Sequence, residues 1–74
     1  MPTLPHISGR QAVRAFEKSG FEVRHQRRSH IILAKAGFAA TLAVPNHREL
    51  KPGTLRALIR ASGLTVDQFV ALLS

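Results

Sequence analysis

Apolar residues recur at helical spacing in the first quarter of the chain. Ser8 precedes this pattern and Gln11 follows three residues later, which is the arrangement of a capping box at a helix N-terminus. The apolar stripe consists of Ala12, Val13 and Phe16. Gly20 is a typical residue just beyond a helix C-terminus. The pattern therefore predicts a first helix over about residues 9–19.

Helical spacing returns near the end of the chain, after a polar loop at residues 46–51. Pro52 suits a first helical turn, where its missing N–H would have no partner, and Gly63 closes the pattern. The residues at helical spacing between them are Leu55, Leu58, Ile59 and Ser62. Thr65 and Gln68 form a second capping box, which predicts a short final helix. Its apolar residues are Val66, Phe69, Val70 and Leu73.

Three segments between the helices have the spacing of β-strands. In the first, apolar and polar residues alternate, which predicts a half-buried strand. The residues expected to share its buried face are Phe21, Val23 and His25. Residues 26–28 are the expected turn, and residues 29–35 and 39–44 are the second and third strands. Connections this short favour antiparallel neighbours.

The predicted order is α-β-β-β-α-α in a single domain, residues 1–74. A three-stranded antiparallel sheet with helices on one face buries these apolar residues most economically, so we expect an α+β fold with the other sheet face open. If Ile31 and Leu33 face the helices, His30 and Ile32 lie on the open face, whereas the reverse choice buries His30. We favour the first, with Lys35 inward at the strand end and its ammonium in water.

Charge narrows the class of partner. The 74 residues include 11 Lys and Arg but only 4 Asp and Glu, a formal net charge of +7. Most of the cations are arginines, whose planar guanidinium suits phosphate. So large an excess on a small domain favours a polyanion such as nucleic acid over a role in solubility alone. A membrane surface is disfavoured because the cations do not line one face of an apolar helix.

The composition also excludes several kinds of chemistry. The chain has no cysteine, which rules out a disulfide framework, a thiolate zinc site and a thiol nucleophile. No apolar run approaches the roughly 18 residues of a membrane span. The first residues lack the pattern of a signal peptide, so we expect a cytoplasmic protein. The chain has no metal-ligand spacing and no glycine-rich phosphate loop, and we expect no cofactor.

His30 is the strongest candidate for acid–base chemistry. It follows Arg27, Arg28 and Ser29 at the start of an apolar strand. An imidazole exchanges protons near neutral pH, and cationic neighbours would bind a phosphodiester, as RNA cleavage through the 2′-hydroxyl requires. The alternative from spacing alone is a strand histidine that makes one hydrogen bond and packs.

Five segments of the chain carry a family resemblance: residues 4–9, 20–33, 44–47, 49–56 and 63–69. In this order, in so short a chain, they resemble the HicA (YcfA-like) toxins of bacterial type II toxin–antitoxin systems. The resemblance implies a double-stranded-RNA-binding-like fold and an mRNA interferase, a metal-independent endoribonuclease that arrests translation. It also implies a HicB-like antitoxin that covers the active site. The family's catalytic histidine falls on His30, and Arg28 stands where the family usually has Gly.

The expected RNA-binding residues adjoin this histidine or follow the third strand. They are Arg27, Arg28, Ser29, Lys35, His47, Arg48 and Lys51. The family's Pro-x-His segment falls on His47, which we interpret as a loop or phosphate-contact residue and not as a second catalyst. Two alternatives stay open: a non-catalytic RNA-binding module, and an inactive family member that binds only its antitoxin.

The remaining aromatic residues and histidines are expected to be structural. We assign Phe16, Phe21 and Phe69 to the core. His25, in phase with Phe21, is predicted to be part of a packed strand, and His6 to lie at the surface. Phe38 adjoins a turn, where both packing and stacking on a partner remain open.

Overall fold

A computed structural model of the protein describes residues 3–73. The elements are α1 (Gly9–Lys18), β1 (Glu22–Arg27), β2 (His30–Ala34), β3 (Leu42–Pro45), α2 (Pro52–Ser62) and α3 (Val66–Ala71). The strands form one antiparallel sheet in the order β1-β2-β3. The predicted α+β class and the order α-β-β-β-α-α are confirmed. Within the described residues no helix has the length and apolarity to cross a bilayer.

The sheet buries only one of its two faces. Ile31 and Leu33 of β2 are buried, as are Leu42 and Val44 of β3. The residues between them are half-buried or exposed. Because successive side chains of a strand point to opposite faces, the helices pack on the face of the four buried residues. We call the other face, which carries His30, the open face. The position of His30 on this face confirms the favoured prediction, in which Ile31 and Leu33 face the helices.

Aromatic rings connect the helices to the sheet. The ring centroid of Phe16 in α1 lies 6.2 Å from that of Phe21 and 5.0 Å from that of Phe69 in α3. All three rings are buried, as predicted. The aliphatic part of the same core consists of Ile7, Ala12, Val13, Ala15, Ile31, Leu33, Leu42, Val44, Leu50, Leu55, Leu58 and Ile59.

Both predicted capping boxes are present. The Ser8 hydroxyl accepts from the Gln11 N–H at 3.1 Å, and the Ser8 N–H donates to the Gln11 side chain at 2.9 Å. Thr65 and Gln68 make the same two bonds at 3.1 and 2.9 Å. These bonds satisfy N–H groups that no helical carbonyl reaches, and such a cap stabilises a helix by about 0.5–2 kcal/mol. They fix where α1 and α3 begin.

The strand boundaries differ most from the predictions at the end of β1 and at the start of β3. Gln26 belongs to β1, and the turn consists of Arg28 and Ser29 alone. Backbone pairing with β2 continues to Arg27, the last residue before this turn. The prediction ended the strand too early because it followed the apolar pattern, which does not depend on backbone pairing. β3 begins at Leu42, not at residue 39, because residues 39–41 are exposed and the pairing with β2 ends at Leu33.

The edge strand β1 contains a β-bulge that reverses its alternation. The register with β2 shifts between Val23 and His25, so Arg24 is an extra residue in β1. His25 consequently pairs with Ile32 on the open face. Every residue of β1 is exposed, which overturns the predicted half-buried strand. The prediction that His25 is part of a packed strand is also wrong, because the inserted residue turns its side chain to the other face.

The start of α1 rests directly on the end of β3. The Gly9 N–H donates to the carbonyl of His47 at 2.9 Å. A Cβ atom on Gly9 would overlap the carbonyl oxygen of Pro45. Glycine therefore allows the helix and the strand to approach closely.

We expect Gly9→Ala to lower the free energy of unfolding by about 1–3 kcal/mol, because the backbone of β3 must move to admit the methyl group. Urea unfolding measures this loss. The matched control is Gly53→Ala in α2, where a Cβ meets nothing within 4 Å and alanine favours the helix. Equal stabilities of the two variants would contradict the proposed close approach.

Candidate functional site on the open face

His30 lies at the start of β2, between residues of both neighbouring strands. It pairs with Arg27 of β1 on one side and with Pro45 of β3 on the other. Directly paired residues of an antiparallel sheet project to the same face. The His30 side chain is exposed. The imidazole and the Arg27 guanidinium are therefore side by side on the open face.

A shallow depression surrounds this histidine. Its lining residues are Arg27, Arg28, His30, Ile32 and Ala43. Two arginines and no carboxylate line it, so the depression favours an anion. Its apolar lining comes from Ile32 of the central strand β2 and Ala43 of the edge strand β3.

The turn that closes the β1–β2 hairpin brings the second arginine to the depression. Arg28 has a φ of 57°, the only positive φ of a non-glycine residue in the part of the chain described. A positive φ at the first residue of a two-residue hairpin loop is typical of a type II′ turn, which favours glycine there. The amide of Gln26 donates to the Arg28 carbonyl at 3.3 Å. Arginine at this position adds a cation at the cost of backbone strain.

The loop between β3 and α2 lies at the same end of the sheet. The Asn46 N–H donates to the carbonyl of Ser29 at 2.7 Å. The Leu50 N–H donates to the carbonyl of Ile7 at 2.8 Å. These backbone bonds hold the loop against both the hairpin turn and the chain before α1. His47 and Arg48, both exposed, therefore lie at the His30 end of the sheet. Lys51, also exposed, is the N-cap residue of α2 and makes no capping bond through its side chain.

Lys35 is a predicted RNA-binding residue that the fold separates from His30. It lies five residues further along the chain, about 16 Å at about 3.3 Å per strand residue. Its ammonium donates to the carbonyl of Ser19 at 2.9 Å, beyond the last residue of α1. The same nitrogen is 5.5 Å from the ring centroid of Phe21 and 4.8 Å from that of Phe38. Lys35 thus binds the C-terminal end of α1, which attracts cations.

Phe38 and His6 also make contacts within the protein. The Phe38 ring packs edge-on against Phe21 at 5.6 Å between centroids, although the residue is 41% exposed. His6 is exposed, as predicted, and its Nδ1 lies 3.2 Å from a carboxylate oxygen of Glu49. Neither residue lines the depression at His30.

His25 is the open-face residue that sequence reasoning missed. A two-residue turn at Arg28 and Ser29 requires Arg27 to pair with His30, and counting back along β1 places His25 on the open face. Alternation from Val23 places it on the opposite face. This conflict is the signal of the bulge, and it is visible only when the turn is assigned correctly.

The carboxylates of the described chain do not converge on a metal site. Among residues 3–73 no group of three or more histidine, aspartate or glutamate side chains is placed to hold a metal ion. Glu22 pairs with Arg24 at 3.5 Å, and Glu49 pairs with His6. The ionisable groups that line the depression are the imidazole of His30 and the guanidinium groups of Arg27 and Arg28.

These features define a small α+β domain with an exposed histidine among arginines on an open sheet face. A family model described as "HicA toxin of bacterial toxin-antitoxin" matches residues 9–64, which include α1, the whole sheet and α2. The chain belongs to the HicA toxin family. The protein is therefore of the toxin class of toxin–antitoxin systems, and membership in this family implies an antitoxin as its partner. A comparison with curated proteins found no match.

We expect Lys35→Met to lower the free energy of unfolding by about 1–2 kcal/mol, because it removes a charged hydrogen bond but keeps the apolar stem. Lys51→Met is the control, since that exposed side chain makes no capping bond, and its effect should stay within about 0.5 kcal/mol. Urea unfolding of both variants is the measurement. Unchanged stability of Lys35→Met would show that its ammonium does not support α1.

We expect Arg28→Gly to be about 1 kcal/mol more stable than Arg28→Ala. Both variants lose the same charge, but only glycine adopts a positive φ without strain. Thermal or urea unfolding of the pair isolates the backbone contribution. Equal stabilities would mean that the turn tolerates a side chain at this φ without cost.

Proposed function

We propose that this toxin is an endoribonuclease, an mRNA interferase that cleaves RNA with His30 as general base and so arrests translation. The observation that carries the proposal is the exposed imidazole of His30, paired across the sheet with Arg27 in a depression lined by two arginines. RNA supplies its own nucleophile in the 2′-hydroxyl. The protein then needs only a base, a phosphate-binding site and correct positioning.

The proposed reaction begins with a phosphodiester bound by the guanidinium groups of Arg27 and Arg28. His30 accepts the proton of the 2′-hydroxyl as the 2′-oxygen attacks the adjacent phosphorus. The arginines stabilise the negative charge that develops on the phosphoryl oxygens. The Ser29 hydroxyl is adjacent in the chain and would position the imidazole or donate to a phosphate oxygen.

The remaining RNA contacts would extend along the same end of the sheet. His47 and Arg48 lie in the loop after β3, and Lys51 is the N-cap residue of α2. Contacts of this kind bind the phosphate backbone and position the strand without reading its sequence. Lys35 does not belong to this set, because its ammonium is bound at the C-terminal end of α1. The net charge of +7 would accelerate encounter with RNA and make binding salt-dependent.

The antitoxin of this toxin is proposed to be HicB-like and to cover the open face. Ile32 and Ala43 give that face an apolar centre between the arginines and the end of the sheet near Ala34. An acidic or apolar partner surface would complement it, and charge complementarity accelerates such association. The proposed place of action is the cytoplasm, where mRNA is translated.

We expect His30→Ala to reduce RNA cleavage by about 10²–10⁴-fold, the usual contribution of a general base. Expression of this variant should no longer arrest growth, while RNA binding and unfolding remain as in the wild type. His6→Ala is the matched control, since His6 is exposed but does not line the depression. Cleavage is measured on single-stranded RNA in EDTA, where it should persist.

Two results would contradict the proposal. Undiminished cleavage or toxicity of His30→Ala would remove His30 from its role. Intact RNA with salt-sensitive binding by the wild type would favour a non-catalytic RNA-binding module instead.

A further inference from the structure

The β-bulge at Arg24 places a second histidine on the open face. His25 pairs with Ile32, and His30 lies two residues before Ile32 on the same strand. His25 and His30 are therefore diagonal neighbours on one face of an antiparallel pair. The Cα atoms of such neighbours lie about 7–8 Å apart, within reach of two imidazole side chains. Both residues are exposed.

Cleavage of a phosphodiester by its own 2′-hydroxyl has two proton transfers. One group takes the proton of the attacking oxygen, and another gives a proton to the 5′-oxygen that leaves. The two oxygens lie on opposite sides of phosphorus, and each catalytic group must approach its oxygen to about 2.6–3.2 Å. Two groups on neighbouring strands, one on either side of a bound phosphate, meet this requirement better than one group alone.

We propose that His25 is the general acid of the cleavage reaction, an assignment that rests on the function proposed above. In this step the O2′–P bond forms and the P–O5′ bond breaks. The proton of the 2′-hydroxyl passes to neutral His30, and protonated His25 gives its proton to O5′. The products are a 2′,3′-cyclic phosphate and a 5′-hydroxyl. Exchange of protons with water then restores both imidazoles.

The other groups near the depression suit this step less well. Arginine does not release its proton near neutral pH, so Arg27 and Arg28 contribute charge only. The ammonium of Lys35 is bound at the C-terminal end of α1, away from His30. His47 follows β3, on the side of β2 opposite to β1. His25, in contrast, adjoins the Arg27–His30 pair along β1.

The charges that face His25 on the open face are few. Arg27 and His30 lie at the hairpin end, and Glu22 pairs with Arg24 at 3.5 Å next to it. β3 places Ala43 and Pro45 on this face, so it brings no titratable group there. The helices pack on the other face and contribute none. His25 itself is exposed, so a substrate can reach its imidazole.

The test compares two leaving groups. The first substrate is an RNA oligonucleotide, and the second is the same oligonucleotide with sulfur in place of the bridging 5′-oxygen at the scissile bond. A thiolate leaves without protonation, so a general acid is needed only for the first. The enzymes are the wild type, His25→Gln, His25→Arg, His30→Gln and the control His6→Gln.

We expect His25→Gln and His25→Arg to cleave the oxygen substrate about 10²-fold more slowly than the wild type. Both should cleave the sulfur substrate within a few-fold of the wild-type rate. His30→Gln should be slow on both substrates, because each requires the base.

Three results would overturn the assignment. Wild-type rates of the His25 variants on the oxygen substrate would remove His25 from catalysis while leaving the proposed function intact. Full activity of His25→Arg alone would mean that His25 acts only as a cation on phosphate. Failure of the wild type to cleave either substrate would overturn both the proposed function and this inference.

Discussion

One-sided burial of a small sheet determines where the chemistry of this protein lies. Leu33 and Val44 are fully shielded from water beneath the helices, and the strand geometry then sends their neighbours to the opposite face. His30 is exposed because Ile31 is buried. A register error of one residue would exchange these positions and place an imidazole in the core, which the burial of four aliphatic side chains strongly opposes.

The site is supported by backbone, and its side chains are free for ligands. The hairpin turn, the loop after β3 and the start of α1 are held together by hydrogen bonds between main-chain groups of Ser29 and Asn46, and of Gly9 and His47. The arginines and histidines of the open face are exposed and contribute little to the core. The position that does affect stability is Arg28, where a cation occupies a backbone conformation suited to glycine. Because a small domain buries little surface, a site made mostly of exposed side chains suits it, and Arg28 is the exception that costs stability.

The basic residues have two different uses. Arg27 and Arg28 line the depression at His30, and this is the pattern of a site for an anion. Lys35 instead binds the carbonyl of Ser19 just beyond α1, and its ammonium lies near the rings of Phe21 and Phe38. Net charge predicts a polyanionic partner but does not distinguish these uses, because the difference depends on which end of a strand each cation occupies.

The alternation of β2 allows two faces for His30, and the burial of Ile31 and Leu33 decides between them. The sequence alone determined the helices, their capping boxes and the α+β class, since these follow from local spacing. It did not determine the bulge at Arg24, the exposure of His25, the start of β3 or the contact of Lys35 with Ser19. Each of these depends on pairing between strands or on contacts between residues distant in the chain. The hydropathy pattern does not show which distant residues pair or make contact, so only the tertiary structure decides these features.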